Sequence, residues 1–584
     1  MAPTQDKKDD GSDYRGCIEK LKTLMRSKGV DYFYVSSTDP YLNEYVPAGL
    51  RRRSIFTHFS GSTAEMLFSP AEKVKLFVDG RYHEQADKEV NYDQIEVVKV
   101  KGSALEKAVL DAIPPQAVVG YEAVRTPLKL ARQIEKKCQK IVPLDDEMEQ
   151  ILPFPPSPPL PVVENLEGKV DISPAFEKIA RVFQDFQKDE ALYLCALDEI
   201  AWISNLRGYH LPHLCSFLAR AVVTFDHLHL FVDPSISFED VGPTITIHRT
   251  DEADLPQALR ALEEKSNWKT LFYDEASINA RDHSILARIW GEDRLFHREG
   301  GLIPYMSVKD DKEIALIRES FAKSNRAITE VLRWVRASMA RGKEISELDI
   351  YEKTAECYKR EGAKDQSFRT ISGVGAHSSI IHFNSPEANL KVRGDDVVLL
   401  DSGGYFESGF ATDTTRTILA HHKADPAPQM VDIFTTALKG MLALQNAVVP
   451  EGTDGAKLDA IARTPIKEKG YDYAHGTGHG VGIYVHEGGI NVSSNSAHLK
   501  LKAGQVFSVE PGIYIPGFGG VRHENIVVAR PHPKREGHLY FEPLTWIEFD
   551  EALLDRSLLS SRELEWFEAY QTRCREMGNT LSFD

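Results

Sequence analysis

The sequence predicts an α/β (α+β) chain in three parts: two related α/β layers, then a larger domain in which helices and strand-like runs alternate. Three observations carry this reading. Two N-terminal stretches repeat one order of elements, and each ends a strand in LFVD, at Leu76–Asp79 and Leu230–Asp233. Six prolines between Pro153 and Pro161 fall where neither a helix nor a central strand would tolerate them, so they read as a stiff extended linker. Beyond residue 310, Ile314, Ile317, Phe321, Ile328, Leu332 and Val335 recur at spacings of three, four and seven, the stripe of a long amphipathic helix that opens a new domain.

Taken in order, the first layer holds "DYFYVSSTDPYLNEY" and then "VKLFVDGRYHEQA"; the second holds "ALYLCALDEIAWISNL" and then "LHLFVDPSISF". Each reads as a strand, an aspartate opening a helix, and a further strand, so a duplication is expected. Asp39 and Asp198 are predicted N-caps, since a carboxylate there accepts orphan N–H groups. A second seam falls at "HREGGLIPYMSVKDDKE", around Gly300, Gly301 and Pro304. The expected divisions are 1–160, 161–305, 306–535 and 536–584. The last segment begins as strand, ends as helix and is too short to fold unaided, so it is expected to pack on the third domain.

With 584 residues the chain is too long for one hydrophobic core. Its net charge of −17 is spread along the sequence, which argues against a nucleic-acid partner, because phosphate calls for a basic stripe. No run approaches eighteen uncharged apolar residues, so no membrane span is expected. The six cysteines (Cys17, Cys138, Cys195, Cys215, Cys357, Cys574) show no CxxC or close pairing and suit free thiols in a reducing compartment. The polar start "MAPTQDKKDDGSDYRG" lacks the apolar stretch of a secretory signal, so a cytoplasmic address is the expectation.

The chemistry concentrates in the third domain. "HGTGHGVGIYVHEGG" places His475, His479 and His486 within twelve positions among glycines. Upstream stand His382 in "SSIIHFNSP", Asp401 in "VVLLDSGGY" and Asp413 in "GFATDTTRT"; downstream stand Glu510 in "VFSVEPGIY" and Glu524 in "GVRHENIVV". Most sit at the end of an apolar or β-branched run, where a carboxylate is costly unless it is paired or binds a cation. Singly, each has an ordinary alternative: a turn cap, a core histidine, a strand and its turn. Together, four carboxylates and an imidazole make an oxygen-rich site for hard or borderline divalent metals, and two ions relieve the repulsion of four crowded acids.

In that order the residues resemble the pita-bread metallopeptidases, which carry two aspartates on a hairpin, then a histidine, then two glutamates. Here these are Asp401, Asp413, His479, Glu510 and Glu524. "HGTGHGVG", "LDEIAWISNLRG", "DGRYHEQA" and "YFEPLT" are similar to the cytosolic, three-domain Xaa-Pro aminopeptidases (aminopeptidase P) of that family. The resemblance implies two creatinase-N-like α/β domains followed by a C-terminal pita-bread metallopeptidase domain. It further implies release of the first residue of peptides with proline second, two divalent metal ions, most often Mn(2+), and a homodimer.

By the same resemblance Asp413 and Glu524 bridge both ions, Asp401 completes one, and His479 and Glu510 complete the other. Glu510 is also the candidate general base. His382 and His486 face substrate, His475 shuttles protons or shapes the proline pocket, and Arg81 of "VDGRYHEQ" contacts substrate, its ordinary alternative being a surface or salt-bridging arginine. Two departures stand out. The aspartates are twelve residues apart where the family generally has eleven, which a longer turn in "GYFESGFA" can absorb. His479 and His486 are only seven apart, so the loop between them is expected to have its own shape. Prolidase, with one N-terminal domain, and a metal-free pita-bread binding module are the alternatives.

Overall fold

The computed structural model describes residues 12–101, 105–153 and 159–582. Pro155, Pro156 and Pro158 of the predicted linker lie outside the described residues. The chain forms two compact units: one of residues up to Pro159 together with Tyr273–Glu299, the other of Leu160–Phe272 together with Gly300–Asp584.

In the first unit, β1 (Tyr32–Val35), β2 (Glu65–Phe68), β3 (Val74–Val78), β4 (Ile95–Lys99), β5 (Val118–Tyr121) and β6 (Lys140–Pro143) form one sheet in the order β4-β3-β2-β1-β5-β6. β1 pairs antiparallel with β2 and parallel with β5, and β3 pairs parallel with β4. Phe33, Met66, Leu76 and Val78 sit in its buried core.

The pattern recurs in residues 190–273. β7 (Glu190–Leu194), β8 (Arg220–Val223), β9 (Leu228–Val232), β10 (Ile245–Arg249) and β11 (Thr270–Tyr273) run in the order β10-β9-β8-β7-β11. β7 is antiparallel to β8 and parallel to β11, and β9 is parallel to β10. The two LFVD sequences end β3 and β9, the equivalent strands. Neither predicted N-cap forms. Asp39 opens no helix; its Oδ1 accepts the N–H groups of Tyr41 and Asn43 in a turn. Asp198 lies inside α1 (Leu197–Ser204), whose N-cap is Ala196.

The long helix of the third domain is α2 (Asp311–Ala340), started by a capping box between Asp310 and Glu313, a device that stabilises a helix end by about 1 kcal/mol. Trp202 of α1 donates its indole N–H to Glu313 at 2.7 Å. After α3 (Glu347–Arg360) come β12 (Ile371–Val374), β13 (Val397–Ser402) and β14 (Thr414–Leu419), an antiparallel three-stranded sheet in chain order.

Beyond α4 (Pro428–Gln445) lie β15 (Val448–Pro450), α5 (Gly455–Glu468), β16 (Gly478–Gly480), β17 (Glu487–Val492), β18 (Val506–Val509), the hairpin β19 (Gly512–Ile515) and β20 (Gly519–Arg522), β21 (Asn525–Pro531) and β22 (His538–Pro543). A six-stranded sheet orders them β15-β22-β21-β18-β16-β17. The tail therefore enters the fold of the third domain, with β22 between β15 and β21. Its helix α6 (Ser561–Glu576) buries Phe567, Tyr570 and Cys574 in the same core as Leu438 and Phe507. None of the six cysteines is in a disulfide. Among the described residues no helix is long and apolar enough to cross a membrane.

Candidate metal centre

Strand register brings the two aspartates to one face. Asp401 in β13 stands directly opposite Thr415 in β14. Asp413 precedes Thr415 by two residues, and strand alternation turns it to the same side. In the turn connecting the two strands Tyr405 bridges Ala411, and Gly409 N–H closes on Phe406 carbonyl at 3.0 Å.

β16 carries His479 between β17 and β18. The glycines beside it serve close approach rather than unusual backbone angles, since Gly478 and Gly480 have no positive φ. A Cβ on Gly478 would overlap the carbonyl of Ser508 in β18. His479 Nε2 lies 3.3 Å from Glu510 Oε1 and 3.6 Å from Asp413 Oδ2. Its Nδ1 lies 3.1 Å from Gly480 carbonyl; donating there fixes the tautomer that leaves Nε2 free as a ligand. Glu524, just after β20, accepts from Thr415 Oγ1 at 2.8 Å.

Ligand atoms of Asp413, His479 and Glu524 all lie within 4.8 Å of one another, with Asp401 and Glu510 beside them. Burial comes first in pushing Asp413 and Glu524 well above the ordinary carboxylate range, and the neighbouring carboxylates add to it. Two like charges 4 Å apart repel by about 4 kcal/mol at an effective dielectric of about 20. Asp401 Oδ1 is buried without a hydrogen-bond partner. Crowded oxygen donors, one of them unpartnered, with an imidazole nitrogen facing them, fit divalent cations.

Asp401 Oδ2 accepts Arg522 Nη2 at 2.5 Å, a residue that sequence reasoning missed. Arg522 also donates to Thr415 Oγ1, Tyr514 hydroxyl and Ile381 carbonyl. The signal was available: a basic residue in the glycine-flanked, otherwise uncharged run "GFGGVR", two positions before Glu524.

The remaining histidines differ. The His486 ring packs edge-on to His479, centroids 4.6 Å apart. His475 is engaged at both nitrogens, Nε2 at 2.9 Å from Tyr514 hydroxyl and Nδ1 at 2.6 Å from Gly476 carbonyl. Burial pulls it down to about 4, so it is neutral and holds Tyr514. His382 is half-buried in the turn that follows Ile381. Arg81 belongs to the first unit, where Nε and Nη2 bond Asp79 at 3.0 and 2.7 Å.

A hairpin-borne pair of aspartates, a histidine and two glutamates on such a scaffold define a metallohydrolase of the pita-bread class. Comparison with known proteins agrees. The model of metallopeptidase family M24 matches residues 315–531, those of creatinase/prolidase N-terminal domains match 18–151 and 155–313, and the C-terminal region of peptidase M24 matches 537–581. A probable Xaa-Pro aminopeptidase P from Laccaria bicolor is 32% identical over 95% of this chain and 88% of its own length. The chain belongs to metallopeptidase family M24, in the group with two creatinase-type N-terminal domains.

Among solved structures, X-prolyl aminopeptidase from Caenorhabditis elegans, described as a cytosolic enzyme with a di-nuclear active site, superposes with a TM-score of 0.87 at 24% identity, over 97% of this chain and 96% of its own. Xaa-Pro dipeptidase from Bacillus anthracis gives 0.52 at 23% identity and covers 64% of this chain and 98% of its own.

Proposed function

We propose that the chain is a metal-dependent aminopeptidase that hydrolyses the N-terminal Xaa-Pro bond of peptides and releases the first residue. The observation that carries this is the convergence of Asp413, His479 and Glu524, flanked by Asp401 and Glu510. The full-length likeness to relatives named Xaa-Pro aminopeptidase P supports the substrate class. Two divalent cations, manganese in this reading, held by these five side chains would supply a water of lowered pKa and polarise the scissile carbonyl.

The chain's own residues do the rest. Glu510 accepts the proton of the attacking water and hands it to the proline nitrogen as the C–N bond breaks. His382 and His486 offer N–H groups to the carbonyl oxygen as it gains charge. His475 holds Tyr514, which with Arg522 keeps Asp401 in place. Proline offers no N–H, so recognition falls to apolar packing of the ring. Arg81 is assigned to substrate contact. Domains at 1–160, 161–305 and 306–535 with a tail at 536–584, a homodimer and a cytoplasmic address complete the reading.

The test is release of the first residue from an Xaa-Pro-Xaa peptide, measured beside Gly-Pro, together with the metal content of the purified protein. Cleavage of the dipeptide alone would make the chain a prolidase. Negligible metal after purification in manganese, with no turnover, would make it a binding module.

A further inference from the structure

The short loop between His479 and His486 has its shape set from inside. β16 and β17 pair from Gly478 opposite Val492 to Gly480 opposite Glu487, so residues 481–486 form the connection and end on His486. The next side chain, Glu487, is 1% exposed. Its Oε2 accepts Ile483 N–H at 3.3 Å, and its Oε1 takes the ammonium of Lys309, which is 0% exposed. A Cβ on Gly482 would overlap this carboxylate, so the loop closes tightly around it.

Lys309 is itself anchored. Its ammonium also donates to Met306 carbonyl, and its backbone N–H bonds Gly504 carbonyl at 3.1 Å. It immediately precedes Asp310, the cap of α2. The loop that presents His486 is thus fastened through one ion pair to the segment that starts the catalytic domain. A mobile loop would let the imidazole wander by an ångström or more, enough to lower a rate substantially.

We propose that Lys309 and Glu487 are a positioning pair that sets His486 against the substrate. This rests on the reading above, in which His486 meets substrate.

A double-mutant cycle tests it. Glu487→Gln, His486→Ala and the combined variant are compared with wild type for kcat and KM on an Xaa-Pro-Xaa peptide, for bound metal and for thermal midpoint. The assay runs below every midpoint. Glu487→Gln is expected to lower kcat about tenfold or more with bound metal unchanged. In the His486→Ala background the same change is expected to add less than about twofold, because both act through one group. Should Glu487→Gln fail to fold, Lys309→Arg, which keeps the charge and changes its reach, takes its place in the cycle with the same expectation.

Losses that multiply, a loss that follows bound metal, or unchanged kinetics in Glu487→Gln would overturn the proposal alone. A wild-type protein that leaves every Xaa-Pro peptide intact would overturn the functional reading, and the positioning role with it.

Discussion

Asp79 and Asp233 follow equivalent strands of the two α/β layers, while Asp401 and Asp413 flank the hairpin of the catalytic domain. The first two are satisfied locally: Asp79 by the backbone and guanidinium of Arg81, Asp233 by the N–H and hydroxyl of Ser235. The second two are not. Asp401 keeps one buried oxygen without a partner, and Asp413 faces Glu524, Asp401 and Glu510. An acid at a strand end is thus a turn device when a neighbour two residues on can reach it. It becomes ligand material when the fold surrounds it with other acids.

The hardest test of that contrast is Glu524→Gln. Bound metal should fall, and turnover should fall by about a hundred- to a thousandfold or more, the scale of losing one group that acts in the transition state. Because burial and the neighbouring acids disfavour the ionised form of Glu524, at a cost to the fold near neutral pH that Gln does not carry, the chelator-treated variant should melt higher than chelator-treated wild type. Elemental analysis, kinetics and a thermal scan read the three effects. Unchanged metal and turnover would place Glu524 with the structural acids.

Glu510→Ala should fold and lose turnover by about a hundred- to ten-thousandfold, the range for a positioned proton-transfer group. Near-normal turnover would remove Glu510 as the base. A chelator should lower the thermal midpoint of wild type, because a ligand present at about a hundred times its Kd stabilises by about 2.7 kcal/mol per site. No shift would mean that the catalytic acids already have all the partners they need.

How much of this was legible follows from where each partner sits in the chain. The LFVD repeat announced matching layers because strand ends recur with the fold, and β3 and β9 hold the same place in their sheets. The five ligand-type residues were legible because acids and imidazoles stand out in apolar runs. The caps failed for local reasons: Asp39 found N–H groups within its own turn, and Ala196 took the cap that Asp198 was to supply. Arg522 was missed because an arginine in a strand reads as surface, and only the fold shows its guanidinium on Asp401. Glu487 and Lys309 are 178 residues apart, a separation at which no local pattern couples two charges.

Asp79→Asn separates the two halves of the contrast within the first layer. The Arg81 side chain is 27% exposed but that of Asp79 only 8%, so the pair is partly buried; Asn keeps one acceptor oxygen for Arg81, and a loss of about 1–3 kcal/mol is expected. If Arg81 meets substrate, loosening it should raise KM while kcat and bound metal stay constant. An unchanged KM would leave Arg81 as a partner of Asp79 and nothing more.

Asp233→Ala should have the smallest effect of all. The carboxylate is exposed and closes only its own turn, bonding Ser235 N–H at 2.8 Å and the Ser235 hydroxyl at 2.5 Å. The turn keeps its backbone bond from Ile236 N–H to the Asp233 carbonyl at 3.1 Å, and water can replace the lost acceptor. A change within about 0.5 kcal/mol is therefore expected, as for surface sites away from special features, with kcat, KM and bound metal untouched. A denaturation midpoint and one kinetic assay suffice. A clear loss of activity would mean that this aspartate, like Asp401, answers to something beyond its own turn, and local satisfaction would no longer separate structural acids from ligands.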